Sequence, residues 1–475
     1  MVATSVVACA HVPILRPRTA PTAPVVITDV AYRSDPFLAE VEGRTFDYFW
    51  RATDPQTGLT PDRSPSTGIS SIAAIGFALT AYPIGVAEGY VSREQAAVRA
   101  FATLKYLYDL PQGPGDTGVA GYKGFFYHYL SMDNGRRVAR VELSTIDTSL
   151  LLAGALFCAQ YFDGPSAAEV GVRAYADSMY RRVDWTWAMP NSPAVSLGWT
   201  PDSGFIQYDV RGYNEAMILY VLGLGSPTHP LPDSAWKEYA RTYRWEHWFG
   251  EDYLDFGQVF GYSYSHIWID FRAIQDSVMR AHGIDYFENS RRAAYAQRAY
   301  ATYNPMGWVG YGPDVWGLTA CDGPVDTSVA LNGVYRNFNS YWARGTAYTR
   351  MADDGTISPS AAASLIPFAP EIAIPALKAM RARYGNLLYS TYGFIDAFNP
   401  SFTLPIHTPL GRVDGARGWF DTDYLGIDEG PILAMIENYR TELVWTTMRR
   451  NPYMAKGLER AGFSGGWLGN QLAAQ

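Results

Sequence analysis

The sequence predicts an all-α protein, a single (α/α)6 barrel with short β-hairpins in the loops at the end expected to carry the active site. Three observations predict it. Helical periodicity recurs from Phe37 onward with no second linker, low-complexity block or charge run. Some helical stretches, such as SIAAIGFALTAYPIGVA and TIDTSLLLAGALFCAQYF, are apolar nearly all round, whereas SREQAAVRAFATLKYLYD is apolar on one face. A helix apolar on every side is buried on every side, and a one-faced helix covers a core. About twelve helices in such pairs make an inner ring wrapped by an outer one.

Residues 1–35 are read as a tail and 36–475 as one catalytic domain. In the tail, SVVACA (5–10) resembles the small-residue box before a lipidated bacterial cysteine, so Cys9 reads as a lipid anchor behind a truncated signal. The other reading is an unstructured tail. PILRPRTAPTAP (13–24) reads as a proline-rich tether. The helices follow at 36–54, 69–87, 92–109, 144–162, 166–182, 213–222, 233–245, 265–282, 284–301, 325–336, 338–352, 361–366, 370–384, 431–446 and 452–462. Short strands are expected in 121–142 and 197–212, and GFFYHYLSMDNGRRVARVEL alternates around an Asn-Gly turn, a hairpin signal.

The net charge of −8 leaves no basic footprint for nucleic acid. No run of about 18 apolar residues spans a membrane. The cysteines Cys9, Cys158 and Cys321 form no disulfide framework, and Cys158 reads as a small buried side chain. HExxH, paired CxxC, Walker A and GxSxG are absent and the His residues show no metal-ligand spacing, so neither metal nor cofactor is expected.

What stands out is aromatic: 14 Trp, 34 Tyr and 22 Phe, bunched with Gly, Asp and Asn in GYKGFFYHYL, LGWTPDSGFIQYDVRGYNE, YNPMGWVGYGPDVWGLTACDGP and YGFIDAFNP. Aromatic faces ringed by hydrogen-bonding groups suit a ligand with apolar CH patches and many hydroxyls, a sugar chain. Among them stand carboxylates at helix starts. Ser144 reads as an N-cap with Asp147 three residues on, where a capping box places an acid; Glu142 precedes the cap and is not explained that way. Facing a helix N-terminus, either tends to stay ionised. Glu215 sits in the first turn of a very apolar helix, where desolvation raises a carboxyl toward the range of a general acid while the helix dipole opposes it. Asp428 and Glu429 precede Pro431, which suits a first helical position. Asp396 lies between Phe394 and Phe398. His266 and Asp270, four apart, read as a buried structural pair. Carboxylates plus aromatics are the equipment for cleaving glycosidic bonds.

These segments, with YSHIWIDFR, GIDYFENSRRA, DDGTISPSAAASLIPFAPE and YLGIDEGPILAMIENYRT, closely resemble the bacterial glucoamylase-like proteins of glycoside hydrolase family 144, in order from about 37 to 465. The resemblance implies an (α/α)6 barrel that hydrolyses β-1,2-glucan with inversion, yielding sophorose or sophorooligosaccharides. It implies Glu215, in YNEAMI, as the general acid, with Glu142, Asp147 and Asp396 as candidates for the base. The Cys9 reading goes with a periplasmic or outer-membrane-anchored protein; a monomer with a β-glucan as partner is expected, while the sequence leaves the oligomeric state open. This chain reads IDEGP where a Gln is expected after the Asp, so Glu429 adds a charge and leaves the role of Asp428 open.

The residues expected to line the subsites are Tyr122, Phe126, His128, Trp199, Tyr208, Trp268, Arg272, Tyr311, Trp316, Asp322 and Trp419, with Asp428 and Glu429. Three alternatives stand beside the hydrolase reading: an α-glucan exo-hydrolase on the same barrel, a non-catalytic glycan-binding protein, and a structural partner whose aromatics form a protein interface. Product length, and endo versus exo action, stay open.

Overall fold

Helices form where the apolar runs predict them, and burial holds them even where intrinsic propensity is poor. The computed structural model describes residues 33–65, 68–331, 333–348 and 351–472; Cys9 and the proline-rich tether lie outside these. In chain order the helices are α1 (Pro36–Arg51), α2 (Ile72–Ala87), α3 (Arg93–Asp109), α4 (Thr145–Tyr161), α5 (Ala167–Arg181), α6 (Met217–Gly225), α7 (Ser234–Ala240), α8 (Phe260–Trp268), α9 (Ser277–His282), α10 (Tyr286–Tyr303), α11 (Pro359–Ser364), α12 (Pro370–Tyr384), α13 (Gly426–Arg440), α14 (Leu443–Met448), α15 (Pro452–Arg460) and α16 (Gly466–Leu472). None of the described helices is long and apolar enough to cross a membrane.

Two kinds of helix alternate. In α2, α4, α6, α8, α11 and α13 nearly every residue is buried, whereas α1, α3, α5, α10, α12 and α15 bury one face. Helix α2 packs against α4 and α13, α4 against α6, α6 against α8, α8 against α11, and α11 against α13. Outside them α1 lies on α2 and α13, α3 on α2, α5 on α4, α10 on α8, α12 on α11 and α15 on α6.

Helix α2 shows which force decides. Pro83 and the glycines Gly76 and Gly85 lie inside it, at costs of about 3 and about 1 kcal/mol each. Burial of Ile72, Ile75, Phe77, Leu79 and Ile84, at about 1.5–3 kcal/mol each, outweighs them. Both features have local compensation. A Cβ on Gly154 would collide with the Gly76 carbonyl, so the glycine pair lets α2 and α4 approach closely. Pro83 has no N–H for the Leu79 carbonyl, and the Cys158 thiol donates to that oxygen instead at 2.9 Å.

Several expectations are corrected. The segments 325–336 and 338–352 are not helical: Thr327–Leu331 pairs with Val334–Phe338, and 342–352 holds short strands. The alternation of Thr-Ser-Val-Ala-Leu, followed in the sequence by an Asn-Gly pair that signals a turn, favours the pleat over the helical period. The span 265–282 is two helices, because Asp276 caps a new one at Ser277 by accepting from Met279 N. Helix α13 starts at Gly426, so Asp428 and Glu429 occupy its first turn and Pro431 lies inside it. Helix α6 starts at Met217, leaving Glu215 in the turn before it. The Asn-Gly hairpin forms only as a tight turn, Ser131 N donating to Arg136 O, while 129–131 pairs with 69–71.

Candidate active site

A five-stranded sheet of very short strands, spanning Gly121–Tyr122, Phe125–Tyr127, Leu143–Ser144, Gly198–Thr200 and Gly204–Phe205, sets the first group of functional side chains. Tyr127 lies opposite Leu143, and His128 N donates to Glu142 O at 2.9 Å, extending the ladder by one pair. Opposed residues of an antiparallel pair share a face, so the His128 ring meets the Glu142 carboxylate, Nδ1 to Oε1, at 2.8 Å. Ser144 caps α4 as its spacing predicts, its Oγ accepting from Asp147 N at 3.1 Å. That holds the Asp147 carboxylate 3.2 Å from His128 Nε2, an ion-pair contact rather than a straight hydrogen bond. Burial works against a charge on His128, but Asp147, Glu142 and Asp62 together raise its pKa to about 9. The His128 hydrogen bond in turn lowers that of Glu142.

Glu215 stands beside this group. Its turn is pinned from α8: Ser265 Oγ donates to Glu215 O at 2.5 Å and accepts from Ile218 N at 3.0 Å. Its side chain keeps partial solvent contact while protein encloses the rest, and this desolvation, aided by the charge of Asp147, lifts its pKa to about 7.

A second carboxylate group assembles from three loops. The strand Arg63–Ser64 pairs with Tyr424–Leu425, bringing Arg63 beside Asp423. The pair Ala320–Cys321 with Trp342–Ala343 sets Asp322. Asp421 N donates to Ala397 O and Asp396 N to Asp423 O, both at 3.0 Å, which sets Asp396, Asp421 and Asp423. Arg63 Nη1 lies 2.7 Å from Asp322 Oδ2 and 3.3 Å from Asp423 Oδ2. Asp322 N donates to Asp396 Oδ2 at 2.7 Å, and Ser360 Oγ donates to Asp428 Oδ1 at 2.8 Å. Burial, then Asp428, Asp322 and Asp421, push the Asp396 pKa far up. Asp428 is lifted by burial to about 6 and held there by hydrogen bonds from Asp396 and Ser360.

The groups share one cleft. Asp62 feels both His128 and Asp322. Tyr129 faces Asp62, Asp147 and Arg63, and Tyr341 faces Asp428, Asp396 and Tyr129. Tyr264 on α8 lies within reach of Asp428, Tyr341, Glu215 and Asp147. Its hydroxyl is anchored on Ile427 O at 2.7 Å, the carbonyl that Pro431 leaves without a helical N–H.

Among the described residues, two carboxylate sets have the spacing to hold a hard cation through oxygen: Asp322, Asp396 and Asp421, and, in the helix wall, Glu42, Glu88 and Glu437. Each already meets a guanidinium, Arg63 on Asp322 and Arg440 on Glu42 and Glu88. A surface groove lined by Arg44, Lys378, Arg381 and Tyr389 lies apart from the cleft, its cations paired with Asp35 and Glu40.

The structure brings together His128, Glu142, Asp147, Glu215, Asp322, Asp396 and Asp428. It removes others. Phe126, Trp268, Trp316 and Trp419 are wholly buried core side chains; Trp268 stacks on Phe77 and donates to Thr80, and Trp419 donates to Leu410 O. Arg272 is spent on Asp270 and Glu442 and lies over Trp445. Tyr311 hydrogen-bonds Asp353 at 2.6 Å. Glu429 is buried beside Thr45 and Tyr48 of α1, where desolvation raises its pKa well up, so it adds no charge to the cleft. His266 does not pair with Asp270: its Nε2 meets Ser290 Oγ at 3.2 Å, and Asp270 takes Arg272 and Arg449. Tyr122 and Trp199 pack together with Trp187, half-buried, and Tyr208 is exposed.

Sequence reasoning missed Asp62, Arg63, Tyr129, Tyr264, Tyr341, Asp421 and Asp423. GWFDTDYLG, two acids beside aromatics like the segments singled out above, could have given Asp421 and Asp423. Arg63 had no signal, since only the pairing of its strand with Tyr424–Leu425 brings it in.

A family model described as "Putative glucoamylase" matches residues 207–452. The exo-β-1,2-glucooligosaccharide sophorohydrolase (non-reducing end) of Parabacteroides distasonis is 27% identical over 92% of this chain; the chain spans 59% of that curated relative's length. The crystal structure of a putative glucoamylase from Bacteroides uniformis superposes with a TM-score of 0.77, 30% identity and coverage of 91% of this chain and 98% of the other. The endo-β-1,2-glucanase of Chitinophaga pinensis, in complex with sophorotriose and glucose, gives 0.76, 26%, 91% and 99%.

Proposed function

The chain belongs to the glucoamylase-like family, and from that premise we propose that it is a glycoside hydrolase cleaving β-1,2-glucan to sophorose or sophorooligosaccharides. The observation that carries the reading is Glu215, a carboxyl whose pKa of about 7 lets it hold a proton near neutrality, facing a cleft walled by other carboxylates. The names of the sophorohydrolase and the endo-β-1,2-glucanase support the linkage, and the label putative glucoamylase on the other relatives is what keeps the α-glucan alternative in the test.

The proposed mechanism is inverting. Glu215 is the acid that protonates the leaving oxygen. An inverting base works on the opposite face of the sugar, roughly 6.5–9.5 Å from the acid, with a water between. Asp147 stands in the same group as Glu215 and acts on it electrostatically. Asp396 belongs to the other group; burial and its neighbours Asp428, Asp322 and Asp421 favour its protonated form, so it is the base that activates water once that proton has passed to Asp428. Asp322 and Asp423, set by Arg63, take sugar hydroxyls. A relay through the substrate's free 3-hydroxyl would lengthen the proton path from Glu215.

The scaffold is read as an (α/α)6 barrel. The contacts α2–α4–α6–α8–α11–α13 return to α2, which supports an inner ring, and one-faced helices cover it from outside.

The test is incubation with linear β-1,2-glucan and, separately, starch. Reducing sugar from the first alone supports the reading; release from starch alone supports the α-glucan alternative. An α-anomeric first product by NMR supports inversion. A ladder of products means endo action, and sophorose alone means exo.

A further inference from the structure

Like Arg63 in the second group, His128 touches two carboxylates at once, but its ring, unlike a guanidinium, is not a cation by necessity, and neither contact is explained by holding a sugar. Its Nδ1 stands 2.8 Å from Glu142 Oε1 and its Nε2 3.2 Å from Asp147 Oδ2. A carboxylate is an acceptor only, and a neutral imidazole carries one N–H. A neutral ring would therefore aim a lone pair at one of the two oxygens. The side chain has no slack to avoid this, because its backbone N–H is fixed on Glu142 O, its carbonyl accepts from Ile72 N, and its ring lies against that of Tyr129. The other charges nearby are Asp62, which adds to the negative field on the ring, with Arg63 beside it, and Arg137, which acts on Glu142.

We propose that His128 is a positioning residue that works as a permanent imidazolium, an internal cation that holds Glu142 and Asp147 in place and sets the field in which Glu215 keeps its proton. This rests on the reading of Glu215 as the acid, and it replaces the expectation that His128 binds sugar. The electrostatics run in one direction: Asp147 raises Glu215, and a cation paired with Asp147 opposes that effect. Removing the cation leaves the negative charges uncompensated.

Two measurements test it. In protein labelled with 15N-histidine, the signal that disappears in His128→Gln should show both ring nitrogens protonated at pH 8; a single-tautomer neutral ring at pH 7 overturns the proposal. This readout needs no substrate, so it stands even where the glucanase reading fails. On β-1,2-glucan, His128→Gln should move the basic limb of kcat/KM to higher pH, the direction opposite to Asp147→Asn, and lower kcat about tenfold or more with little change in KM. A rise in KM with an unmoved basic limb makes His128 a sugar contact and overturns the proposal. A fall in melting temperature with an unmoved limb reduces it to a structural residue and overturns it equally.

Discussion

The two carboxylate groups of the cleft differ in what balances their charge. Glu142 and Asp147 meet an imidazolium carried on a strand pair, and solvent reaches them in part. Asp322, Asp396, Asp421 and Asp428 are almost wholly buried, with Arg63 at their edge reaching Asp322 and Asp423. Burying an uncompensated charge costs several kcal/mol, so the second group keeps protons instead, on Asp396 and Asp421 above all. The lesson is that acids of one kind acquire opposite chemistry from their counter-ion. The group whose two acids share one cation shapes the field at Glu215, and the group that Arg63 reaches only at its edge keeps protons.

The comparison can be broken at several points, starting with the acid itself. Glu215→Gln has no proton to give, and kcat on β-1,2-glucan should fall by about 10³-fold with melting unchanged; activity retained near the wild-type level would remove Glu215 from the mechanism. Asp396→Asn should lose about 10²-fold and regain turnover with added azide, which replaces the activated water. Rescue of Asp147→Asn instead would transfer the base to the first group.

Asp147→Asn itself should cost less, about tenfold, and should move the basic limb, set near 7 by Glu215, to lower pH, because the negative charge that raises Glu215 is gone. An unmoved limb would uncouple the two residues.

The smallest effect concerns Glu429, buried behind the second group. Its folded pKa is raised, so the folded state binds the proton more tightly than the unfolded one. Stability is then lost as pH rises above the unfolded value. Glu429→Gln should leave melting unchanged at pH 4 and raise it by about 1–2 °C at pH 8. Equal shifts at both pH values would mean that Glu429 is not desolvated.

Much of this was legible in the chain. The runs that became α2 and α4 announced burial on all sides because apolar side chains on every face leave none for water. Ser144 declared its cap and Glu215 its desolvation through their immediate neighbours. Where reading failed, the deciding contact came from elsewhere in the chain. Trp268 and Trp419 carry the same aromatic signature as a subsite and lie in the core, since composition does not say which way a ring points. The strands Thr327–Leu331 and Val334–Phe338 were read as helix although the sequence between them carries the Asn-Gly signal of a hairpin.

Helical class and the aromatic and acidic character of the loops are written in the sequence, and so is the choice of Glu215, Asp147, Glu142 and Asp396 as candidate carboxylates. Only the tertiary structure decided their partners. Arg63 reaches Asp322 across 259 residues, and Ser360 reaches Asp428 across 68. A pKa depends on the charges and water within a few ångströms, and those neighbours are set by packing, which local sequence does not record.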